Sequence, residues 1–276
     1  MAELSSRKLG FIGAGNMTQA IVSGLIKTGT LRPDQIWASN RSDGKLKRLQ
    51  SDLGISTATT NEEVVDQCDI VILAMKPQDL IPAIEPISSS FTPQHTVISL
   101  AAGIPIRRLR RAVPSVRQWI RAMPNTAARI QSGVVGYCTS AEGKASEGMI
   151  EALFSPLGLV VPMEEGEKFE AFSVACSAGV GFVFELMMYW QEWLEEHDFD
   201  PEVARAVTVR TFLGASRVAE DSTTGLEDLQ NRVTSKKGIT AAGLDSMREL
   251  EIERLLRYSF EKSALRDRQI AEEQDD

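Results

Sequence analysis

Apolar positions along the chain follow two periods. In the first 165 residues, short apolar runs alternate with stretches of helical spacing. Leu9 to Ile12 is too short for a surface helix and suits a buried strand. Met17, Ala20, Ile21, Gly24 and Leu25 then recur at helical spacing, and Gly29 falls where a helix C-terminus favours a left-handed residue. Residues 35–39 read as a second strand. Ser42 is placed to cap a helix carrying Leu46, Leu49 and Leu53, which Gly54 stops. Residues 55–57 read as a short strand, and Asn61 is expected to cap a helix with Val64 and Val65. Residues 69–75 are almost continuously apolar, as a central parallel strand should be. Pro77 suits the first turn of the next helix, with Leu80, Ile81 and Ile84. Residues 96–100, 117–123, 133–138 and 157–163 read as later strands. This alternation with short loops predicts an α/β fold, a Rossmann-type doubly wound parallel sheet.

Beyond Glu164, Glu165 and Gly166 the strand pattern stops. Residues 169–177 and 182–195 read as two apolar helices split at 177–181. Pro201 opens a third, with Val203, Val207 and Leu213. A short helix at 226–233, a loop at 234–240 and a closing amphipathic helix to about Ile270 follow, with an acidic frayed end. The predicted organisation is a sheet domain over 1–165 and an all-α domain over 166–276. Phe182, Val183, Phe184, Leu186, Met187 and Met188 run almost without polar relief, more than a small helical domain readily buries. The pattern favours a homodimer built from these helices, with an ordinary internal core as the alternative.

Charge and composition narrow the class. Acidic residues outnumber basic ones, 38 to 30, which argues against a nucleic-acid surface. No signal-peptide core precedes the first strand, and no apolar run in the sequence approaches the ~20 residues of a membrane span. The expectation is a cytoplasmic protein without nucleic-acid or membrane partners. Cys68, Cys138 and Cys176 have neither metal nor redox spacing, and the two histidines, His95 and His197, are too far apart for a His-based metal site. His95 reads as a strand-entry residue and His197 as solvated. No nucleophile elbow is present.

The informative chemistry lies between the first strand and helix, at Gly13, Ala14, Gly15, Asn16, Met17 and Thr18. Gly13 permits a tight turn. Gly15 lets the backbone approach a pyrophosphate, whose charge meets the free N–H groups of the helix start. Thr18 departs from the usual small third residue. At the end of the second strand stand Ser39, Asn40 and Arg41, where an NAD-selective site would carry a carboxylate. Arginine and hydroxyl groups suit a 2′-phosphate, so NADP(H) is preferred, with NAD(H) as the alternative. Ligands in such sheets bind beyond the carboxyl ends of the strands, where the loops at 13–17, 74–78 and 101–104 fall. Their residues are small except Lys76, which either anchors charge there or is simply exposed.

The chain resembles pyrroline-5-carboxylate reductases over essentially its whole length. The resemblance is carried by Phe11–Met17 (FIGAGNM), residues 74–78 (AMKPQ), 101–104 (AAGI) and 121–127 (RAMPNTA), in that order. It implies NAD(P)H-dependent reduction of a cyclic imine to L-proline, a Rossmann domain followed by a helical dimerisation domain, and dimers that can assemble further. By that resemblance, cofactor positions are Gly13, Ala14, Gly15, Asn16, Met17, Ser39, Asn40, Arg41, Asn61, Ala74, Met75, Lys76, Pro77, Ala101, Ala102, Gly103 and Asn125. The rear half departs from the family pattern. Residues 176–182 read CSAGVGF where the family has SGSGPAY, and residues 235–240 read SKKGIT where it has SPGGTT. Ser235, Gly238 and Thr240 are kept.

A protonated imine is electrophilic at carbon, so alignment rather than acid catalysis is the main demand. Thr240 is the candidate to hydrogen-bond the ring nitrogen. Ser235 and the Gly238–Ile239 backbone are candidates to hold the carboxylate, with Lys236 and Lys237 either helping or solvated. Two rivals stay open: reduction of a different cyclic imine or related small acid, and a non-catalytic NADP-binding regulatory protein.

Overall fold

The computed structural model describes residues 4–273. They divide into two compact units. One runs up to Ala178 and resumes at Ser263; the other is Gly179–Lys262.

The first unit is built on an eight-stranded sheet. Its strands are β1 (Leu9–Ile12), β2 (Ile36–Ser39), β3 (Ser56–Thr57), β4 (Ile70–Leu73), β5 (Thr96–Ser99), β6 (Gln118–Pro124), β7 (Gly133–Thr139) and β8 (Gly158–Pro162). The order is β3-β2-β1-β4-β5-β6-β7-β8, so the winding reverses beside β1. Helices α1 (Asn16–Lys27), α2 (Asp43–Leu53), α3 (Asn61–Gln67), α4 (Pro77–Ile84), α5 (Ile106–Ala112), α6 (Glu147–Phe154) and α7 (Glu167–Phe172) connect or follow the strands. Side chains alternate between two cores, which is why the strands read as unbroken apolar runs. Ile70 and Ile72 enter one core with Phe11, Ile21 and Phe154. Val71 and Leu73 enter the other with Val64, Leu80 and Trp119.

The sheet is mostly parallel, but β6 and β7 pair antiparallel, Ala122 opposite Tyr137. Their connection holds only a short 3₁₀ turn at Thr126–Ile130. That is too short for a parallel crossover, which takes about a dozen residues or more. Thr60, not Asn61, caps α3: its hydroxyl accepts the Glu63 N–H at 3.2 Å, and Asn61 is already the first helical residue. His95 sits at the entrance to β5, where its Nδ1 accepts the Thr92 N–H at 2.9 Å.

The second unit contains α8 (Gly179–Glu195), α9 (Pro201–Glu220), α10 (Leu226–Arg232), α11 (Ile239–Glu249) and the start of α12 (Ile252–Glu273). The expected split at 177–181 is absent. A π-helical turn at Ser173–Ala178 joins α7 to α8. The joined run Glu167–Glu195 is 29 residues long, so it has the length and apolarity of a membrane span that the separate sequence stretches lacked. The expected single closing helix is two, broken where Glu251 adopts φ 51°. Ala271 to Glu273 remain helical; residues 274–276 of the expected frayed end lie outside the described residues. Trp190 meets Phe212 edge-on at 5.3 Å, and Phe182 lies 5.6 Å from Phe260. Ala204 and Thr208 are buried, yet Phe184 and Trp193 are each 58% exposed.

Candidate functional site

Strands β1, β2, β4 and β5 end in register. Ile12 stands beside both Ser39 and Leu73, and Leu73 beside Ser99. The loops that follow therefore leave one edge of the sheet together. Backbone bonds continue across them: Gly13 donates to the Ser39 carbonyl at 2.9 Å, Ala74 to Ile12 at 2.9 Å, and Leu100 to Leu73 at 3.1 Å. Gly13, at φ +109°, faces the Ala74 carbonyl so closely that a Cβ would lie 2.5 Å from its oxygen.

Gly15 caps α1 with extended backbone, no side chain bonds the free first-turn N–H groups, and no acid stands in that turn. A Cβ on Gly15 would meet nothing within 4 Å. An anion finds here unpaired donors, the positive end of a helix dipole and open approach. This fits the diphosphate of a dinucleotide. Ala14 N–H is taken by Asn40 Oδ1 at 3.1 Å. Asn40 in turn donates to the Ser42 carbonyl at 2.8 Å, so the β2 end is locked to the glycine turn. Thr18 is fully buried and donates its hydroxyl to the Gly13 carbonyl at 2.7 Å, which satisfies the polar group the fingerprint does not usually carry.

Ser39 is buried and donates to Asn61 Oδ1 at 2.8 Å. Arg41 projects into solvent, its nearest charge Asp79 at 3.9 Å. Asn16 is exposed, whereas Met17, Ala74, Met75 and Pro77 are half-buried. Lys76 caps α4 and is exposed. Ala101 and Gly103 are buried, with Ala102 half-buried between them. Asn125 is committed within the protein: Oδ1 accepts the Val134 N–H at 3.4 Å, and Nδ2 donates to the Cys176 carbonyl at 3.4 Å. The structure thus gathers the expected cofactor positions at the carboxyl edge of one sheet.

The other candidate group belongs to the helical unit. Gly238 donates to the Ser235 carbonyl at 3.0 Å, closing a turn in which Lys237 adopts φ 58°. Gly238 caps α11 without a side-chain bond to the free N–H groups. Ser235, Lys236, Lys237, Ile239 and Thr240 are exposed, Ile239 at 93%. The sequence did not single out Asp79, nor the pairing of Arg121 with Glu165 at 2.9 Å, since neither partner is near the other in the chain. Among the described residues no cluster of His, Cys, Asp and Glu could hold a metal ion.

Sheet order, glycine turn and trailing helices define the class: a Rossmann-type oxidoreductase with an all-α C-terminal domain. Residues 8–103 match the family described as NADP oxidoreductase coenzyme F420-dependent, and residues 166–270 that described as pyrroline-5-carboxylate reductase dimerisation. Over 90% of its length the chain is 32% identical to the pyrroline-5-carboxylate reductase of Methanosarcina acetivorans, covering 92% of that protein. The chain belongs to the pyrroline-5-carboxylate reductase family. The solved pyrroline-5-carboxylate reductase of Coxiella burnetii is 27% identical, with a TM-score of 0.87 and coverage of 97% and 99% of the two chains. The Plasmodium falciparum enzyme, solved with NADP bound, shares the fold at 20% identity, with a TM-score of 0.88 and the same coverage.

Proposed function

We propose that this chain reduces 1-pyrroline-5-carboxylate to L-proline with NADPH. The observation that carries the reading is the open, acid-free start of α1 at Gly15, flanked at the β2 end by Arg41 instead of a carboxylate. The first-turn N–H groups of α1 would hold the diphosphate, and Arg41 the 2′-phosphate. Asn61 would orient the ribose side through Ser39. The small residues Ala74, Ala101, Ala102 and Gly103 leave room for a flat ring beside the backbone. When bound, the reduced nicotinamide supplies a hydride.

On the substrate side, Ser235 and the N–H groups at the start of α11 would accept the carboxylate, and the Thr240 hydroxyl would bond the ring nitrogen. The imine enters already protonated, so its C=N electron pair moves to nitrogen as carbon gains the hydride. Alignment is the main contribution asked of the protein. The functional boundary lies between Glu165 and Gly166. The helical domain forms a homodimer that covers the apolar α8 face, and such dimers can assemble further; the enzyme works in the cytoplasm. Lys236 and Lys237 beside the proposed carboxylate site favour one second reading, reduction of a different cyclic imine acid.

The test is NADPH oxidation with pyrroline-5-carboxylate, repeated with NADH, with a panel of cyclic imines and with Thr240→Ala. Proline formation that falls in Thr240→Ala supports the reading. Turnover of another imine only selects the second. Binding of NADPH with no turnover of any imine sinks both and leaves a regulatory protein.

A further inference from the structure

The Ala101–Gly103 loop is met by the end of the chain. Gly103 has φ +68°, and a Cβ built on it would lie 2.7 Å from Ile270 Cγ2 and 2.9 Å from the Asp267 backbone oxygen. Only glycine meets both demands, the left-handed backbone and the close approach of α12. The Asp267 carboxyl is raised by burial, while the nearby Arg121 guanidinium and Gly103 N–H favour its ionised form. Arg121 is itself buried, lies over the Phe169 ring at 4.6 Å, and donates to Glu165 Oε1 at 2.9 Å. The same Glu165 oxygen accepts the Ile106 N–H at 2.9 Å. Glu165 therefore ties the Arg121 guanidinium to the Ile106 N–H, three residues beyond Gly103. The end of α12 is tied down again where Arg268 Nε donates to Glu170 Oε2 at 2.8 Å.

We propose that the end of α12 clamps the cofactor loop, with Ile270 and Asp267 as positioning residues that fix the Gly103 backbone for the nicotinamide ring. This rests on the cofactor reading above. Ala101, Ala102 and Gly103 have no long side chain to anchor themselves. Their order comes from a neighbour, and a small displacement of a ring-positioning backbone is costly for hydride transfer.

Three variants separate the parts: Ile270→Ala removes the apolar contact, Asp267→Ala removes charge and acceptor, and Asp267→Asn keeps an acceptor. Hydrogen–deuterium exchange across residues 100–106, NADPH titration by fluorescence, and steady-state kinetics are read on each. Ile270→Ala and Asp267→Ala should speed exchange at 100–106 by about tenfold, leave 9–17 unchanged, and lower kcat about tenfold with the imine KM held within about twofold. Asp267→Asn should recover most of both effects. Unchanged exchange at 100–106, or raised exchange with unchanged kcat and unchanged NADPH affinity, overturns the clamp. If Asp267→Ala does not fold, Ile270→Ala and Asp267→Asn carry the same comparison. If the wild type turns over no imine, the reductase reading fails, and exchange with NADPH affinity still decides the clamp.

Discussion

Arg41 Nη1 stands 3.9 Å from Asp79 Oδ1, so the basic side chain at the end of β2 faces an acid in the first turn of α4. The arginine side chain is 92% exposed, and a pair so solvated holds it only weakly. Arg41 is free to leave Asp79 for a phosphate, which offers more charge and better geometry. Arg41→Ala should raise the KM for NADPH about tenfold or more and leave that for NADH within about twofold. Asp79→Asn, which frees Arg41, should lower the NADPH KM about twofold. Initial rates against both cofactors check each, and equal losses with NADPH and NADH in Arg41→Ala would remove its selective role.

The two glycines of the β1–α1 turn should fail differently. At Gly13 a side chain meets both the +109° φ and the Ala74 carbonyl at 2.5 Å, a backbone atom that cannot swing away. Gly13→Ala should destabilise the fold by about 2–4 kcal/mol, read as a drop in Tm without ligand. Gly15→Ala has open space around it. Its Tm should stay within roughly 1 °C of wild type, while NADPH affinity falls about tenfold because the new methyl blocks the diphosphate's approach. A Gly15→Ala protein that binds NADPH normally would place the diphosphate elsewhere.

Much of this was legible in the chain because the β1, β4 and β5 residues are buried on both faces, and continuous burial writes itself as continuous apolarity. The glycine turn was legible because backbone geometry at Gly13 and Gly15 leaves few residue choices. Three features were not. The antiparallel β6–β7 pair depends on loop length more than on composition. The π turn at Ser173–Ala178 keeps a helix going through Cys176, Ser177 and Ala178, where small and polar residues suggest a stop. The seat of Ile270 on Gly103 joins positions far apart in sequence, which no local period records.

The thiols should report on pH. Burial pushes Cys68 and Cys138 up to about 12, and Cys176 upward as well, from an ordinary value of 9.0. Folding thus favours their protonated forms. The stability they contribute is fully present below pH 9 and is lost as pH rises toward about 12. Tm should therefore fall over that window. At pH 8 the native protein should react slowly with iodoacetamide at Cys68 and Cys138, and quickly once denatured. Fast native labelling of both by mass spectrometry would mean that the end of α3, at Cys68, and β7, at Cys138, open readily.

The helical unit makes the remaining prediction. Phe184 and Trp193 are each 58% exposed, with Tyr189 at 53% and Trp190 at 44% on the same helix. Scattered apolar residues on a surface need no partner, but large aromatics crowded on one helix do. In a homodimer each such ring, once buried, contributes about 2 kcal/mol or more, and central aromatics dominate interfaces. Phe184→Asp with Trp193→Asp should therefore convert the dimer to monomer in sedimentation velocity at micromolar protein, with the sheet unit still folded. Cofactor binding to α1 should survive that change, because Gly15 and Arg41 belong to the sheet unit, whereas turnover should fall if the substrate loop acts only in the assembled dimer. A wild type that sediments as a monomer and partitions into lipid vesicles would instead assign the apolar run Glu167–Glu195 to a membrane.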